Sequence, residues 1–178
     1  MHAISDAMTA LADEEIFTRL LEQHAGIIRK VAFGYTSTFA DREDLTQEIT
    51  LQLWRAYPRY SPGRSFSTWM YRIALNVAIS FLRRHTHPVR QTLPLEEHEI
   101  AAENLAPGER DERLPVLQQI IASLAPLDRG LILLYLDDHP YREIAAILGI
   151  TETNVATKLN RLKQRVREEM LKRHPKNS

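Results

Sequence analysis

The stretch from Pro140 to Met170 constrains the fold of this chain more than any other, because it has the pattern of two helices joined by a three-residue turn. Ile144 and Leu148 share one face of the first helix, and Gly149 can adopt the left-handed conformation that a helix end favours. Thr151 can cap the second helix, whose apolar residues recur at spacings of three and four. The sequence therefore predicts a helix-turn-helix.

The outer face of the second helix carries hydroxyl, amide and basic side chains: Thr153, Asn154, Thr157, Lys158, Asn160 and Arg161. Such groups can hydrogen-bond to base edges in a major groove and neutralise phosphates. From Glu152 to the end of the sequence, eight basic residues stand against three acidic ones. A helix that only faces solvent usually mixes acidic and basic residues more evenly. We therefore favour DNA binding over the alternative of a plain helical hairpin.

The composition limits the classes of protein to which this chain can belong. The 178 residues can form one domain or two small ones, and 44% hydrophobic residues suffice for folded cores. Basic and acidic residues number 23 each, so nucleic-acid binding would depend on local patches. The absence of cysteine excludes disulfides, thiolate catalysis and cysteine zinc sites. We find no signal peptide and no apolar run of about 20 residues, and expect a cytoplasmic protein without membrane insertion.

Helical periodicity covers nearly every segment outside the loops, so we predict an all-α fold. Before the helix-turn-helix, helices are expected at 13–24, 25–35, 41–57, 66–84, 117–125 and 126–136. Between Pro94 and Pro115 seven acidic residues stand against two basic ones, which indicates an acidic flexible linker or a merely solvated spacer. The predicted organisation is a leader at 1–12, a helical domain at 13–90, the linker at 91–115 and a helix-turn-helix domain at 116–174.

The segment Asp44–Arg55 has two different faces. Leu45, Ile49 and Leu53 form an apolar stripe typical of a core. The other face mixes carboxylate, amide and guanidinium groups, which could dock on a helix of another protein.

The segment from Tyr60 to Arg72 combines a Pro-Gly turn with aromatic, hydroxyl and basic residues, a mixture suited to unpaired nucleotides. The alternative is core packing, which we favour for Phe66 and Trp69 because large aromatic residues mostly pack. The better ligand candidates are Tyr60, Arg64, Ser65, Ser67 and Arg72. Asn76 is a polar residue in an apolar run that can face a neighbouring helix or the nucleic acid.

Three segments in order resemble the extracytoplasmic-function (ECF) class of bacterial RNA polymerase sigma factors: DREDLTQEITLQLWRAYPRY, FSTWMYRIALNVAISFLRR and PYREIAAILGITETNVATKLNRLKQRVREEM. The resemblance extends from about Glu14 to Met170. It implies a region-2-like helical bundle and a region-4-like helix-turn-helix domain. It also implies a role in transcription initiation without catalysis, cofactor or metal.

The resemblance implies three sets of contacts. The residues expected to dock on the clamp of the largest polymerase subunit are Asp44, Gln47, Glu48, Gln52 and Arg55. Recognition of the −10 promoter element as a melted strand, with capture of a flipped base, falls to Tyr60, Arg64, Ser65, Ser67, Arg72, Asn76, Arg83 and Arg84. Recognition of the −35 element as duplex falls to Tyr141, Arg142, Thr151, Thr153, Asn154, Thr157, Lys158, Arg161 and Arg165.

Further partners implied by the resemblance are the flap of the second-largest polymerase subunit, promoter DNA and, as a candidate, an anti-sigma factor. The linker is expected to thread toward the RNA exit path, where its acidic residues could mimic RNA charge. Two positions depart from the family pattern. Ser80 stands where an acidic residue is common, and Ala156 stands where a lysine is frequent, so contacts there can differ.

Two other classes of protein remain open from the residues alone. A self-sufficient helix-turn-helix regulator would bind duplex DNA without polymerase. A metalloenzyme could use ligands drawn from His85, His87, Glu96, Glu97 and His98, although histidines at a helix end are commonly solvated caps.

Overall fold

The computed structural model describes residues 14–63, 65–85 and 113–173, and every regular element in these ranges is helical. The all-α class predicted from periodicity is confirmed. The predicted leader and most of the acidic segment lie outside the described residues. The helices are α1 (14–23), α2 (Ala25–Tyr35), α3 (Phe39–Ala56), α4 (Phe66–His85), α5 (Arg113–Ala122), α6 (Pro126–Leu136), α7 (Tyr141–Leu148) and α8 (Glu152–Arg173), with a 3₁₀ turn at Tyr57–Arg59.

The first unit is a bundle in which α2, α3 and α4 pack against one another. Leu45, Ile49 and Leu53 are fully buried, as their spacing of four predicted, and Met70 of α4 is fully buried in the same core. Burying each such side chain contributes about 1.5–3 kcal/mol. Phe17 adds α1 to this core. The buried stripe fixes which face of α3 remains outside.

The second unit consists of α5 to α8, with α8 packed against α5, α6 and α7. Leu131, Ile144, Val155 and Leu159 are fully buried in its core. The helix α6 has the predicted bounds, with Pro126 in its first turn, where the missing N–H has no helical partner to lose.

The helices whose bounds differ most from the sequence prediction are α3 and α5, and α5 also ends at Ala122 rather than at 125. The helix α3 begins at Phe39, two residues before the expected Asp41, because the Thr38 hydroxyl accepts a hydrogen bond from Asp41 N at 3.0 Å and caps the helix. The helix α5 begins at Arg113 rather than near residue 117. Pro115 is tolerated there because it lies within the first turn.

The two units are packed together in the structure. The helices α2 and α4 of the first unit contact α6 and α7 of the second, and buried residues of both belong to one continuous apolar cluster. Tyr35 Oη donates a hydrogen bond to the Pro126 carbonyl at 2.6 Å across this contact. Local periodicity gave no indication of this arrangement.

Candidate nucleic-acid interface and polymerase-docking face

The turn between α7 and α8 has the geometry that the sequence predicted. Gly149 adopts the left-handed conformation with φ of 69°, and its N–H donates to the Ala145 carbonyl at 2.9 Å. Thr151 Oγ1 accepts a hydrogen bond from Asn154 N at 3.2 Å and caps α8. These contacts end α7 and begin α8, and residues 151–154 at the start of α8 are exposed, as a helix that reads DNA requires.

The helix α8 divides into an apolar and a polar face. Val155, Leu159 and Leu162 are buried against the second unit. Most of the predicted −35 residues are exposed on this helix or at the start of α7: Arg142, Thr151, Thr153, Asn154, Thr157, Arg161 and Arg165. Tyr141 and Lys158 are partly exposed. The arrangement offers hydroxyl, amide and guanidinium groups together on one accessible surface.

Lys158 has a partner that the sequence analysis missed. Its Nζ lies 3.4 Å from a carboxylate oxygen of Asp128 on α6. A phosphate contact by Lys158 would share or replace this ion pair. Lys163 also points back toward the protein, with its ammonium 5.0 Å from the Tyr135 ring centre, so it contributes less to the basic surface than its charge suggests.

The polar face of α3 remains accessible. Asp44, Gln47 and Arg55 are exposed, while Glu48 and Gln52 are partly exposed. Periodicity did not predict that Leu51 and Trp54 would be 46% and 45% exposed on the same helix. Leu51 and Trp54 lie three residues apart on one helix, and tryptophan is enriched at protein interfaces. The structure thus adds an apolar component to the candidate docking face.

An ion pair links this docking face to α4. Arg84 Nη2 lies 2.8 Å from each carboxylate oxygen of Glu48. The sequence analysis had assigned Glu48 to polymerase and Arg84 to DNA without a contact between them. Both side chains are solvent-accessible, so the pair contributes only about 0–1 kcal/mol to stability. Its geometric consequence is larger, because both Glu48 oxygens are engaged by Arg84 Nη2, while the other two guanidinium nitrogens make no contact with Glu48.

Four aromatic rings form a connected cluster beside the Pro-Gly turn. Tyr60 lies 6.2 Å from Tyr57, 5.4 Å from Phe66 and 5.1 Å from Trp69, measured between ring centres. Phe66 and Trp69 are 5.2 Å apart. Phe66 is buried and Trp69 partly buried against the core, as the packing interpretation predicted. Tyr57 was missed, because it follows the α3 stripe and carries no motif of its own.

The remaining −10 candidates lie along the start and outer side of α4. Ser65 and Ser67 hydroxyls are 2.7 Å apart, and Ser65 is exposed. Arg72 and Asn76 are exposed one turn apart, and Arg83 is exposed near the helix end. Arg64 lies outside the described residues. Only the candidates at the start of α4 lie beside the aromatic cluster. The others continue along the helix to its end, so the candidate set spans most of α4.

Ser80, one of the two departures from the family pattern, is satisfied within α4. Its hydroxyl donates to the Asn76 carbonyl at 2.9 Å.

The histidine at the end of α4 has a local role. The His85 ring lies 4.0 Å from the Phe81 ring, centre to centre, and its Nδ1 lies 2.8 Å from the Phe81 carbonyl. Within residues 14–63, 65–85 and 113–173, no group of three or more histidine and carboxylate side chains could hold a metal ion. The other proposed ligands, from 87 to 98, lie outside these ranges. No helix of the described part is long and apolar enough to cross a membrane.

Comparison with known proteins identifies both units. The family model for Sigma-70 region 2 matches residues 20–87, and the model for Sigma-70, region 4 matches residues 115–166. ECF RNA polymerase sigma factor SigE of Mycolicibacterium smegmatis is 30% identical over 174 residues, which are 96% of this chain and 67% of that relative.

Solved structures share the fold. The sigma factor RpoE in complex with the anti-sigma factor NepR from Bartonella quintana has a TM-score of 0.70 at 19% identity, covering 88% of this chain and 97% of that one. CnrH in complex with the cytosolic domain of CnrY has a TM-score of 0.61 at 20% identity, covering 97% and 96%.

The two matched regions define a two-unit transcription initiation factor of the sigma-70 type. The similarity to SigE is more specific. The chain belongs to the ECF RNA polymerase sigma factors.

Proposed function

We propose that this protein binds core RNA polymerase and directs it to promoters whose −35 element it recognises as duplex and whose −10 element it recognises as a melted strand. The observation that supports this most is the division of α8, which buries Val155 and Leu159 and leaves its hydroxyl, amide and basic groups exposed. We infer the polymerase as partner because the chain belongs to the sigma factor family. The proposed site of action is therefore the cytoplasm of a bacterium.

The proposal keeps the organisation expected from sequence, with polymerase and −10 contacts in residues 13–90 and −35 contacts in residues 116–174. In the second unit, groups near the start of α8 would contact bases. Arg161 and Arg165 would contact phosphates. In the first unit, the exposed face of α3 would meet the clamp of the largest subunit. The flap of the second-largest subunit would hold the second unit near the −35 element.

For the −10 element, Tyr60, Ser65 and Ser67 would bind an extruded base beside the aromatic cluster. Arg72 and Asn76 would hold the strand along α4. Unstacking a base from duplex DNA costs a few kcal/mol, so a site that binds only the extruded base favours melting and selects sequence at once. No bond is made or broken by the protein in this process.

The central test is transcription in vitro with purified protein and core polymerase, using fragments of the source genome as templates. We expect transcripts that begin at a small set of promoters sharing −35 and −10 sequences. If the added protein produces no promoter-directed transcripts, the proposal is wrong. Specific gel shifts by the protein alone, without polymerase, would instead support the self-sufficient regulator.

Matched variants assign the two DNA contacts. Arg161→Ala should weaken holoenzyme binding to duplex −35 DNA, while Arg167→Ala, an equal charge change farther along α8, should have a smaller effect. Tyr60→Ala should weaken binding of the holoenzyme to a single-stranded −10 oligonucleotide, which Arg161→Ala should leave unchanged. The reverse pattern would contradict the assignment of the two units.

The polymerase contact is tested on α3. Asp44→Ala should raise the protein concentration needed to saturate core polymerase, whereas Glu43→Ala, at a neighbouring exposed position, should change it less. Equal effects would remove Asp44 from the docking face.

An anti-sigma factor is a further proposed partner. The two structural neighbours are complexes with the anti-sigma factor NepR and with the cytosolic domain of CnrY, respectively. We expect a protein encoded beside this one to copurify with it and to suppress its transcription in vitro. Copurification without suppression would argue against this role.

A further inference from the structure

The ion pair between Glu48 and Arg84 is set by the packing of α3 on α4. Glu48 lies in the middle of α3, directly before the buried Ile49, and Arg84 lies in the last turn of α4, three residues after the buried Phe81. Ile49 and Phe81 belong to one apolar cluster, so the core fixes the backbone from which each charged side chain extends. Arg84 Nη2 then lies 2.8 Å from both carboxylate oxygens of Glu48.

Stability alone does not account for this contact. The side chains of Arg84 and Glu48 are 57% and 30% exposed, and a pair in such contact with water contributes little to the free energy of unfolding. A lone glutamate on a helix surface samples several rotamers, and a binding partner must then immobilise it. Because Arg84 already holds the carboxylate, the contact orders this side chain of the proposed docking face in advance.

The carboxylate of Glu48 can accept further hydrogen bonds while Arg84 holds it. Each carboxylate oxygen has two lone pairs, and Arg84 occupies one on each oxygen. The other lone pairs can receive a donor from a partner protein. Asp44 is exposed one turn earlier on the same face of α3, so a donor that approaches Glu48 would meet two carboxylates of the docking face together.

The neighbouring arginine of α4 provides a comparison at equal charge. Arg83 is exposed and directly precedes Arg84. Adjacent residues of a helix do not face the same side, so loss of the Arg83 side chain leaves the Glu48–Arg84 pair in place. The sequence analysis gave both arginines the same role in binding the −10 strand, and only the structure distinguishes them.

We infer that Arg84 is a positioning residue for polymerase docking: it orients Glu48 toward a hydrogen-bond donor on the polymerase clamp and makes no contact with the −10 strand. The inference rests on the proposed function, which supplies the polymerase as the partner of α3. It changes the role of Arg84 that the family resemblance implies. Arg84 acts through Glu48 and needs no contact of its own with the polymerase.

Binding to core polymerase in the absence of DNA tests the positioning role. Arg84→Ala should raise the dissociation constant about two- to tenfold, because the polymerase must then order the Glu48 side chain. Arg83→Ala removes the same charge one residue earlier and should leave this constant unchanged. Arg84→Lys keeps a cation that can donate to Glu48, so it should recover part of the loss.

Two results of this titration would overturn the inference. An unchanged constant for Arg84→Ala would mean that the orientation of Glu48 does not matter for docking. Tighter binding would mean that Arg84 competes with the polymerase for Glu48.

A double-mutant cycle shows whether Arg84 acts through Glu48. In a protein that carries Glu48→Ala, the further change Arg84→Ala should not alter the affinity for core polymerase. Equal effects of Arg84→Ala with and without Glu48 would mean that Arg84 contacts the polymerase directly, and the positioning role would be wrong. The urea midpoints of these variants should stay close to that of the unchanged protein. A large fall for Arg84→Ala would assign the pair to fold stability instead.

Binding of a single-stranded −10 oligonucleotide tests the second part of the inference. With holoenzyme assembled at saturating protein concentration, Arg72→Ala should reduce the slope of log affinity against log salt by about 0.7, the effect of one lost phosphate contact on a single strand. Arg84→Ala should leave this slope unchanged. A reduced slope for Arg84→Ala would return Arg84 to the −10 contacts.

The variant Asp44→Ala separates this inference from the proposed function. If Asp44→Ala weakens binding to core polymerase and Arg84→Ala does not, the docking face stands and only the role of Arg84 is wrong. If the unchanged protein does not bind core polymerase at all, the proposed function itself fails.

Discussion

Replacing Gly149 by alanine should destabilise the protein, whereas the same change at Gly26 should stabilise it. Neither added methyl group meets an atom within 4 Å, so backbone conformation decides whether each substitution raises or lowers the free energy of unfolding. Gly149 has φ of 69°, where an L-residue loses about 1–2 kcal/mol. Reduced freedom of the unfolded chain returns about 0.4–1 kcal/mol, which leaves a net loss of about 1 kcal/mol. Gly26 lies in the first turn of α2, where alanine should gain about 0.5 kcal/mol.

Urea denaturation followed by circular dichroism measures both changes. With a slope of about 2 kcal/mol per molar urea, the midpoint should fall by about 0.5 M for Gly149→Ala and rise by about 0.25 M for Gly26→Ala. Gly149→Asn should lie between wild type and Gly149→Ala, because asparagine tolerates the left-handed region. A shift of the same sign at Gly149 and Gly26 would refute the conformational argument.

Three further outcomes are expected. Leu45→Ala should lower the free energy of unfolding by about 2–5 kcal/mol because its side chain is fully buried; Leu51→Ala, on the exposed side of the same helix, should change it by less than about 1 kcal/mol in the same denaturation assay. Arg161→Ala should reduce the slope of log affinity against log salt by about 0.9 in holoenzyme titrations on −35 duplex, and an unchanged slope would exclude a phosphate contact. Asp137 accepts hydrogen bonds from Lys30 and Tyr71 of the first unit, and Glu143 accepts one from Thr68, and both carboxyl groups have pKa values below their usual 3.8 and 4.5. Their contribution to the contact between the two units should be complete above about pH 4.5 and be lost as the pH falls through the lowered pKa values. X-ray scattering against pH should show this contact weakening in acid, and Asp137→Asn should weaken it at neutral pH; an unchanged contact in both experiments would refute the role of these charges.

The local features were predictable because periodicity and capping act over a few residues. The stripe of Leu45, Ile49 and Leu53, the left-handed Gly149 and the Thr151 cap all follow from neighbours within one or two turns. The start of α3 was misplaced because Thr38 was not considered as a cap. Asp41, the expected first residue, instead supplies the N–H that the cap binds.

The contacts between distant segments could not be predicted in this way. Glu48 and Arg84 are separated by 36 residues, and Asp128 and Lys158 by 30. No local pattern relates these pairs, since their proximity depends on how whole helices pack. The contact between the two units is the extreme case. Lys30 and Asp137 are 107 residues apart, and Thr68 and Glu143, 75 residues apart, lie in two motifs neither of which specifies the other.

The interlocked rings of Tyr57, Tyr60, Phe66 and Trp69 have a consequence for the entropy of binding. Each ring is in contact with at least one other, and Phe66 is anchored in the core. Side chains that are immobilised only on binding cost about 0.5–1.5 kcal/mol each. A nucleotide that stacks here would meet a platform whose rotamers are already restricted, so nearly all of the ordering cost would fall on the DNA.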